Sequence, residues 1–367
     1  MQQVDFSRIQ RILIIKLRHH GDVLLISPLP TLIRQRYPHI RIDALVYADT
    51  RPLIEHHPDF DTIHVIDRSW KHLGITGQIR AEWQLLSQLK LARYDLILHL
   101  TEHWRGALLC RLLKPPLAVV ASYPRRRAFV WWEKSFSQHV PVPGRLRHTV
   151  EKHLDTLRVL GLHPEVHERN LVLGISARAR SKVDDLLKQY PDPGTSFILV
   201  HPTSRWLFKS WSPDRMAQLL DELSMAGHRL ILTAAPAPEE MQMLDQIMAQ
   251  MRHNQVLSLA GQLNLDELAA LIERSRLFIG MDSAPMHMAA ALNIPTVCLF
   301  GPSGDMEWGP WMPPERRRII TADPERYPCR PCGLAGCGDS GVADCLQTLP
   351  VAQVRKAVEE LLCLASH

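Results

Sequence analysis

The chain has 367 residues, 46% of them hydrophobic and 22% charged, a globular composition long enough for two domains and unlike disordered, collagenous or coiled-coil chains. With 43 Lys and Arg against 38 Asp and Glu the net charge is +5, too mild to point to nucleic acid but compatible with contact at anionic surfaces. No apolar run reaches the roughly 18 residues of a membrane span, no secretory leader pattern opens the sequence, and seven cysteines do not describe a disulfide framework; the expected compartment is the cytoplasm.

Residues 11–17 (RILIIKL) read as a buried strand, followed by a basic turn containing Gly21 and Asp22 and an apolar-periodic segment to residue 37. Further strand-like pieces at 42–47, 62–66, 95–100 and 118–121 alternate with helical ones. The second half repeats the outline: strands at 197–201, 229–233, 255–259, 277–280 and 296–300, with a helical pattern over 213–226. Alternation of this kind predicts parallel sheets with helical crossovers. The expected fold is therefore α/β, two Rossmann-like doubly wound domains facing each other across a cleft. The boundary is expected within 171–194, dividing a domain of residues 1–175 from one of 176–349. A helix in 350–367 is expected to pack back on the first domain.

Five segments carry chemistry. In KLRHHGDVLL (16–25) a strand delivers a basic loop to a helix start, at the end of the sheet where α/β proteins bind ligands. Asp22 is either a plain N-cap or a general base, with Lys16, Arg18, His19 and His20 offering anion or sugar contacts. In HPTSRWLFKSW (201–211), Thr203, Ser204 and Lys209 suit a phosphate, although the glycines of a P-loop are missing. In GMDSAPMHMAAALNIPTVCLFGP (280–302), Asp282 and Ser283 precede a helix opening at Ala284 and Pro285, and His287 follows one turn later. Ser283 and nearby amides would form a second anion site. Cys329, Cys332, Cys337 and Cys345 open with Cys-x-x-Cys, but their further spacing does not match a common zinc ribbon. Reduced thiols in a compact loop are favoured over structural zinc. Finally, SYPRRRAFVWWEKSF (122–136) mixes cations with tryptophans and suits either an anionic membrane surface or a solvated run over core aromatics.

Together, in this order and over essentially the whole chain, these motifs resemble the ADP-heptose:lipopolysaccharide heptosyltransferases, glycosyltransferase family 9 with the GT-B fold. The RHHGD form of the first motif, followed by ALVYADTRPLIEHHP, looks most like the heptosyltransferase III branch. The resemblance implies an inverting enzyme that moves L-glycero-D-manno-heptose from ADP-heptose to the lipopolysaccharide inner core, onto the second heptose, without a metal or other cofactor. It implies an acceptor at the cytoplasmic face of the inner membrane, and hence peripheral membrane association. Carried over by position, Asp22 matches the base. Thr203, Ser204 and Lys209 match the diphosphate turn, and Asp282, Ser283 and His287 the second nucleotide-side motif. Gly261 and Leu263 match the adenine segment, Glu239 or Glu240 the ribose-contacting acid, and Arg68 with Arg126 and Arg127 the acceptor side. Gly301, Pro302, Ser303, Gly304 and Asp305 depart from the GPTDP common in relatives. Competing readings are transfer to a different acceptor (the first core sugar or a protein), a nucleotide-sugar epimerase of the same architecture, and a membrane-associated scaffold with a zinc-stabilised loop.

Overall fold

The computed structural model describes residues 4–122, 129–142, 144, 146–188, 196–253 and 256–364. The chain forms two compact units that meet in sequence between Gly174 and Ile175.

The first unit is built on a parallel sheet of β1 (Arg11–Lys16), β2 (Arg41–Tyr47), β3 (Thr62–Ile66), β4 (Leu96–His99), β5 (Leu117–Ser122) and β6 (Gln138–Pro141), in the order β3-β2-β1-β4-β5-β6. Central β1 is buried on both faces, as its unbroken apolar run requires, with Ile14 level with Ala44 of β2 and Leu98 of β4. The second unit repeats the plan with β7 (Phe197–His201), β8 (Arg229–Leu232), β9 (Val256–Ser258), β10 (Leu277–Met281), β11 (Thr296–Phe300) and β12 (Arg317–Thr321), in the order β12-β11-β10-β7-β8-β9. Both are six-stranded, all-parallel α/β sheets of the doubly wound kind.

Two of the four edge strands, β6 and β12, are not among the expected strands. Each is half-exposed, and β12 opens with two arginines, so neither has the apolar run that marks a strand buried on both faces. The terminal helix also departs from expectation. Val354, Ala357, Val358 and Leu361 of Val351–Leu364 join the core of the second unit with Leu219, Leu220, Leu299 and Ile320, so the helix packs within that unit. Its apolar face is the complement of its own sheet.

Several histidines are buried in the sheets. His99, at the end of β4, lies edge-on to Trp132 and beside Phe136, with Gly106 beneath it. A Cβ at Gly106 would stand 1.6 Å from the His99 ring nitrogen, so only glycine admits this packing. Burial depresses the His99 pKa to about 3 and that of His201 to about 4. The unfolded chain binds these protons below about pH 6.5 and the folded chain does not. Stability conferred by the neutral rings is therefore complete above that pH and falls as the solution is acidified, by about 1.4 kcal/mol per pH unit per histidine. Denaturant unfolding between pH 7.5 and 5 should show this loss, and His99→Leu should shallow the slope by one proton; an unchanged slope in that variant would contradict the assignment.

Candidate functional site

In each sheet the strand order reverses beside the first strand, between β1 and β4 and between β7 and β10. The crevice outside the carboxyl ends at such a reversal is where open α/β sheets bind ligands.

At the β1/β4 reversal, Lys16 ends β1 and its side chain is only 4% exposed. Its ammonium donates to the Leu100 carbonyl at 3.0 Å, contacts His153 Nε2 at 3.0 Å and lies 3.4 Å from Asp22 Oδ1. His153 Nδ1 lies 3.1 Å from the Leu25 carbonyl, which can only accept. Nδ1 therefore carries the proton and Nε2 receives the Lys16 hydrogen. Burial, reinforced by the Lys16 charge, holds the His153 pKa well below its usual value, so the ring stays neutral. Burial also lowers the pKa of Lys16, against the opposing pull of Asp22.

Asp22 is not the N-cap that the plainest reading makes it. His19 takes that position, and Asp22 is the third residue of the helix His20–Leu24. Its carboxylate, 13% exposed, faces Lys16 and, at 3.9 Å, Arg18 Nε, both on Oδ1. The Lys16 ammonium, expected to meet a ligand, lies buried among the Leu100 carbonyl, His153 and Asp22.

Other basic residues gather at neighbouring strand ends. His20 Nε2 bonds the Asp49 carbonyl at 2.9 Å. Arg68, following β3, pairs with Asp49 at 2.6 Å, reaches the Arg18 carbonyl at 3.5 Å and lies over the Tyr47 ring. Arg18, His20 and Arg68 thus share one end of the sheet, as an anion-binding surface requires. Arg126 and Arg127 lie outside the described residues. His153 was missed, though a histidine beside Lys152 on the apolar face of the helix Thr149–Arg158 is a legible anomaly.

At the β7/β10 reversal, the loop after β7 buries Thr203 and Ser204, and Thr203 donates to Glu240 at 2.7 Å. Of the two candidate acids on the first turn of Pro238–Gln250, Glu239 is exposed and Glu240 is buried against the loop. Lys209 ends a short turn, Leu207–Lys209, and its ammonium bonds Asp282, which follows β10, at 2.5 Å and lies over the Trp206 ring at 5.0 Å. The Lys209–Asp282 pair therefore spans the reversal. Cys298 of β11 senses it: burial first, then the Asp282 charge, push its thiol well above the usual range, with Lys209 opposing.

Ser283 is the N-cap of the helix Ala284–Ala291, with Pro285 in its first turn, and His287 is buried on the next. Gly261 adopts a left-handed conformation with φ +68°, and a Cβ there would lie 3.6 Å from Pro236; half-buried Leu263 follows. His201 contacts the Thr233 hydroxyl at 3.0 Å, fastening the ends of β7 and β8. The structure thus brings Thr203, Lys209, Asp282 and Glu240 into two bonded pairs around the carboxyl end of β7.

All four cysteines of the 329–345 loop carry free thiols; Cys345 is buried, and Cys329 and Cys337 are exposed. Burial raises the Cys345 pKa, and the nearby thiols of Cys337, Cys332 and Cys329 add to the effect. Among the described residues no three His, Cys, Asp or Glu side chains are arranged to hold a metal ion.

Comparison with known proteins gives the family and the fold. Residues 82–333 match glycosyltransferase family 9 (heptosyltransferase). The chain is 32% identical over 298 residues to lipopolysaccharide heptosyltransferase 3 of Escherichia coli K12, covering 80% of this chain and 83% of that one. Its fold matches the solved structure of E. coli ADP-heptose lps heptosyltransferase II with a TM-score of 0.76 at 21% identity, over 97% of this chain and 100% of that one. It also matches E. coli heptosyltransferase WaaC with ADP, with a TM-score of 0.72 at 19% identity, over 96% and 99%. The extent of the family match and the identity to a characterised relative place this chain in glycosyltransferase family 9, as a glycosyltransferase.

Proposed function

We propose that the enzyme transfers L-glycero-D-manno-heptose from ADP-heptose to the second heptose of the lipopolysaccharide inner core, with inversion at the anomeric carbon. The observation that carries this reading is the two Lys–Asp contacts, Lys16 with Asp22 and Lys209 with Asp282, each at the strand reversal of its own sheet. The first unit supplies the base and the acceptor surface, and the second supplies the donor site. The similarity to lipopolysaccharide heptosyltransferase 3 supports the choice of sugar and acceptor.

A sugar hydroxyl is a poor nucleophile at neutral pH. Asp22 accepts its proton as the hydroxyl oxygen bonds to the anomeric carbon and the bond from that carbon to the diphosphate breaks, releasing ADP. Base catalysis of this kind contributes about 10²–10⁴-fold. Lys16, fixed by Leu100 and His153, and Arg18 hold Oδ1, which leaves Oδ2 for the hydroxyl. Arg18, His19, His20 and Arg68 receive the anionic acceptor.

Charge grows on the leaving diphosphate, and preorganised donors there stabilise the transition state most. Lys209, Thr203, Ser204 and the amides behind Ser283 are those donors. Asp282 holds the Lys209 ammonium in place, and His287 backs the same helix. Glu240, rather than exposed Glu239, is the acid better placed to meet the ribose, with Gly261 and Leu263 beside the adenine. The acceptor is carried on a lipid, so the enzyme works as a peripheral protein on the cytoplasmic face of the inner membrane. None of the described helices is long and apolar enough to cross a membrane.

The decisive test is incubation with ADP-heptose and defined truncated lipopolysaccharides. Mass spectrometry should register a gain of one heptose only when the second heptose is present. A gain on the first core sugar, or conversion of the nucleotide sugar without acceptor, would refute the assignment. Asp22→Asn should lower turnover by about 10²–10⁴-fold while ADP affinity stays nearly constant; near-normal turnover would exclude Asp22 as the base. Lys209→Ala should weaken ADP binding by about tenfold or more, the value of a charge-assisted hydrogen bond, and calorimetry giving an unaltered affinity would remove Lys209 from the diphosphate site.

A further inference from the structure

Three elements of the first unit pack on one face of its sheet. Leu85 and Leu89 of the helix Gly74–Ala92, Ala107, Leu109 and Cys110 of the helix Trp104–Leu113, and Trp132 of the turn Val130–Glu133 share a core with Leu13, Ile15, Ile97 and Val120. Their outer sides therefore form one surface. Polar tethers keep the elements side by side: Arg105 pairs with Glu82, and Arg111 bonds the Trp131 carbonyl at 3.1 Å and the Ser135 hydroxyl at 2.8 Å.

That surface is apolar where solvent would favour polar groups. The helix Gly74–Ala92 buries no side chain before Leu85, yet Ile75, Ile79 and Trp83 stand at i, i+4 and i+8 with exposures of 80%, 53% and 61%. Trp104, Leu108 and Leu112 repeat the same spacing on the second helix, and Val130 and Trp131 are exposed as well. Two stripes of large apolar side chains, one closed and the other led by a tryptophan, exceed the scattered hydrophobics of an ordinary surface. Around them Lys71, Arg80, Lys114 and Lys134 are exposed, whereas the two carboxylates these elements carry are engaged, Glu82 with Arg105 and Glu133 with His139. A second copy of the chain would set this cation-rich rim against itself, because a two-fold interface joins like patches. An anionic lipid surface satisfies both features: the stripes enter the acyl boundary while the cations meet headgroup phosphates.

We propose that this face docks the enzyme on anionic phospholipid, with the leading half of Gly74–Ala92 lying in the plane of the bilayer surface. The inference deepens the reading of a lipid-borne acceptor and rests on it for the membrane concerned. The test measures co-sedimentation of the full chain with phosphatidylglycerol-containing and pure phosphatidylcholine vesicles. Wild type should bind the former preferentially. A triple variant of exposed positions, Ile79→Ser, Trp83→Ser and Leu108→Ser, should bind roughly tenfold or more weakly, with an unchanged circular dichroism spectrum. Arg80→Glu with Lys134→Glu should abolish the preference for anionic lipid. Unaltered vesicle binding by the triple variant, or a dimer in light scattering that the same substitutions dissociate, would overturn the proposal. Heptose transfer to a lipid-free acceptor oligosaccharide should be equal in wild type and triple variant; its absence in both would count against the proposed reaction and leave the vesicle result standing.

Discussion

Reversal of strand order is the constraint on which the chemistry of this protein depends. A parallel sheet whose crossovers change direction beside its first strand leaves two loops diverging at one edge, and the gap between them cannot be filled by backbone. Both sheets here have that arrangement, and both fill the edge of the gap with a lysine and an aspartate drawn from the two sides of a turn or of the reversal itself. Lys16 reaches from β1 across to the carbonyl after β4, and Lys209 reaches from the loop after β7 to the aspartate after β10. The charged groups are where the fold has no hydrogen-bond ladder to offer.

The two pairs are built differently, and the difference suits different partners. Lys16 is enclosed: a carbonyl, a neutral imidazole and a carboxylate use the directions available to its three hydrogens. Such an ammonium has no hydrogen left over for a further acceptor. Lys209 is less enclosed, 16% exposed, with one bonded carboxylate and an aromatic face. An ammonium on a flexible stem, held by one anion, can share itself with a second one. On the reading proposed above, enclosure suits the first lysine to positioning Asp22 and the second to binding the diphosphate.

Much of this arrangement was legible in the sequence. Strands buried on both faces announce themselves as apolar runs, so β1, β7, β10 and β11 stand out, and the candidate residues lie just beyond them. Half-exposed edge strands announce themselves only where enough apolar residues remain, as in β3; β6 and β12, with their polar and charged residues, do not. The helix start behind Ser283, with Pro285 in its first turn, follows from local chemistry. Asp22 was harder: a carboxylate two residues either side of a helix start satisfies the same local pattern, and only the backbone places His19 at the cap. His153 and Glu240 are paired with residues far away in the chain, His153 with Lys16 and Glu240 with Thr203. No local periodicity encodes such a contact.

A buried ion pair is weak grounds for expecting stability, because removing two charges from water costs several kcal/mol that their attraction only partly offsets. An apolar pair at positions 16 and 22 would close the end of β1 at least as well. What an apolar pair could not do is fix the direction of a carboxylate. The neutral His153 is part of the same logic: a protonated ring there would repel Lys16, and the Leu25 carbonyl, by claiming the Nδ1 proton, leaves Nε2 as an acceptor. Backbone carbonyl, imidazole, ammonium and carboxylate therefore form one chain of fixed polarity, Leu25 to His153 to Lys16 to Asp22, in which each group determines the orientation of the next. Stability alone does not call for such a chain of groups; the proposed reaction, which needs one carboxylate oxygen presented in one direction, does.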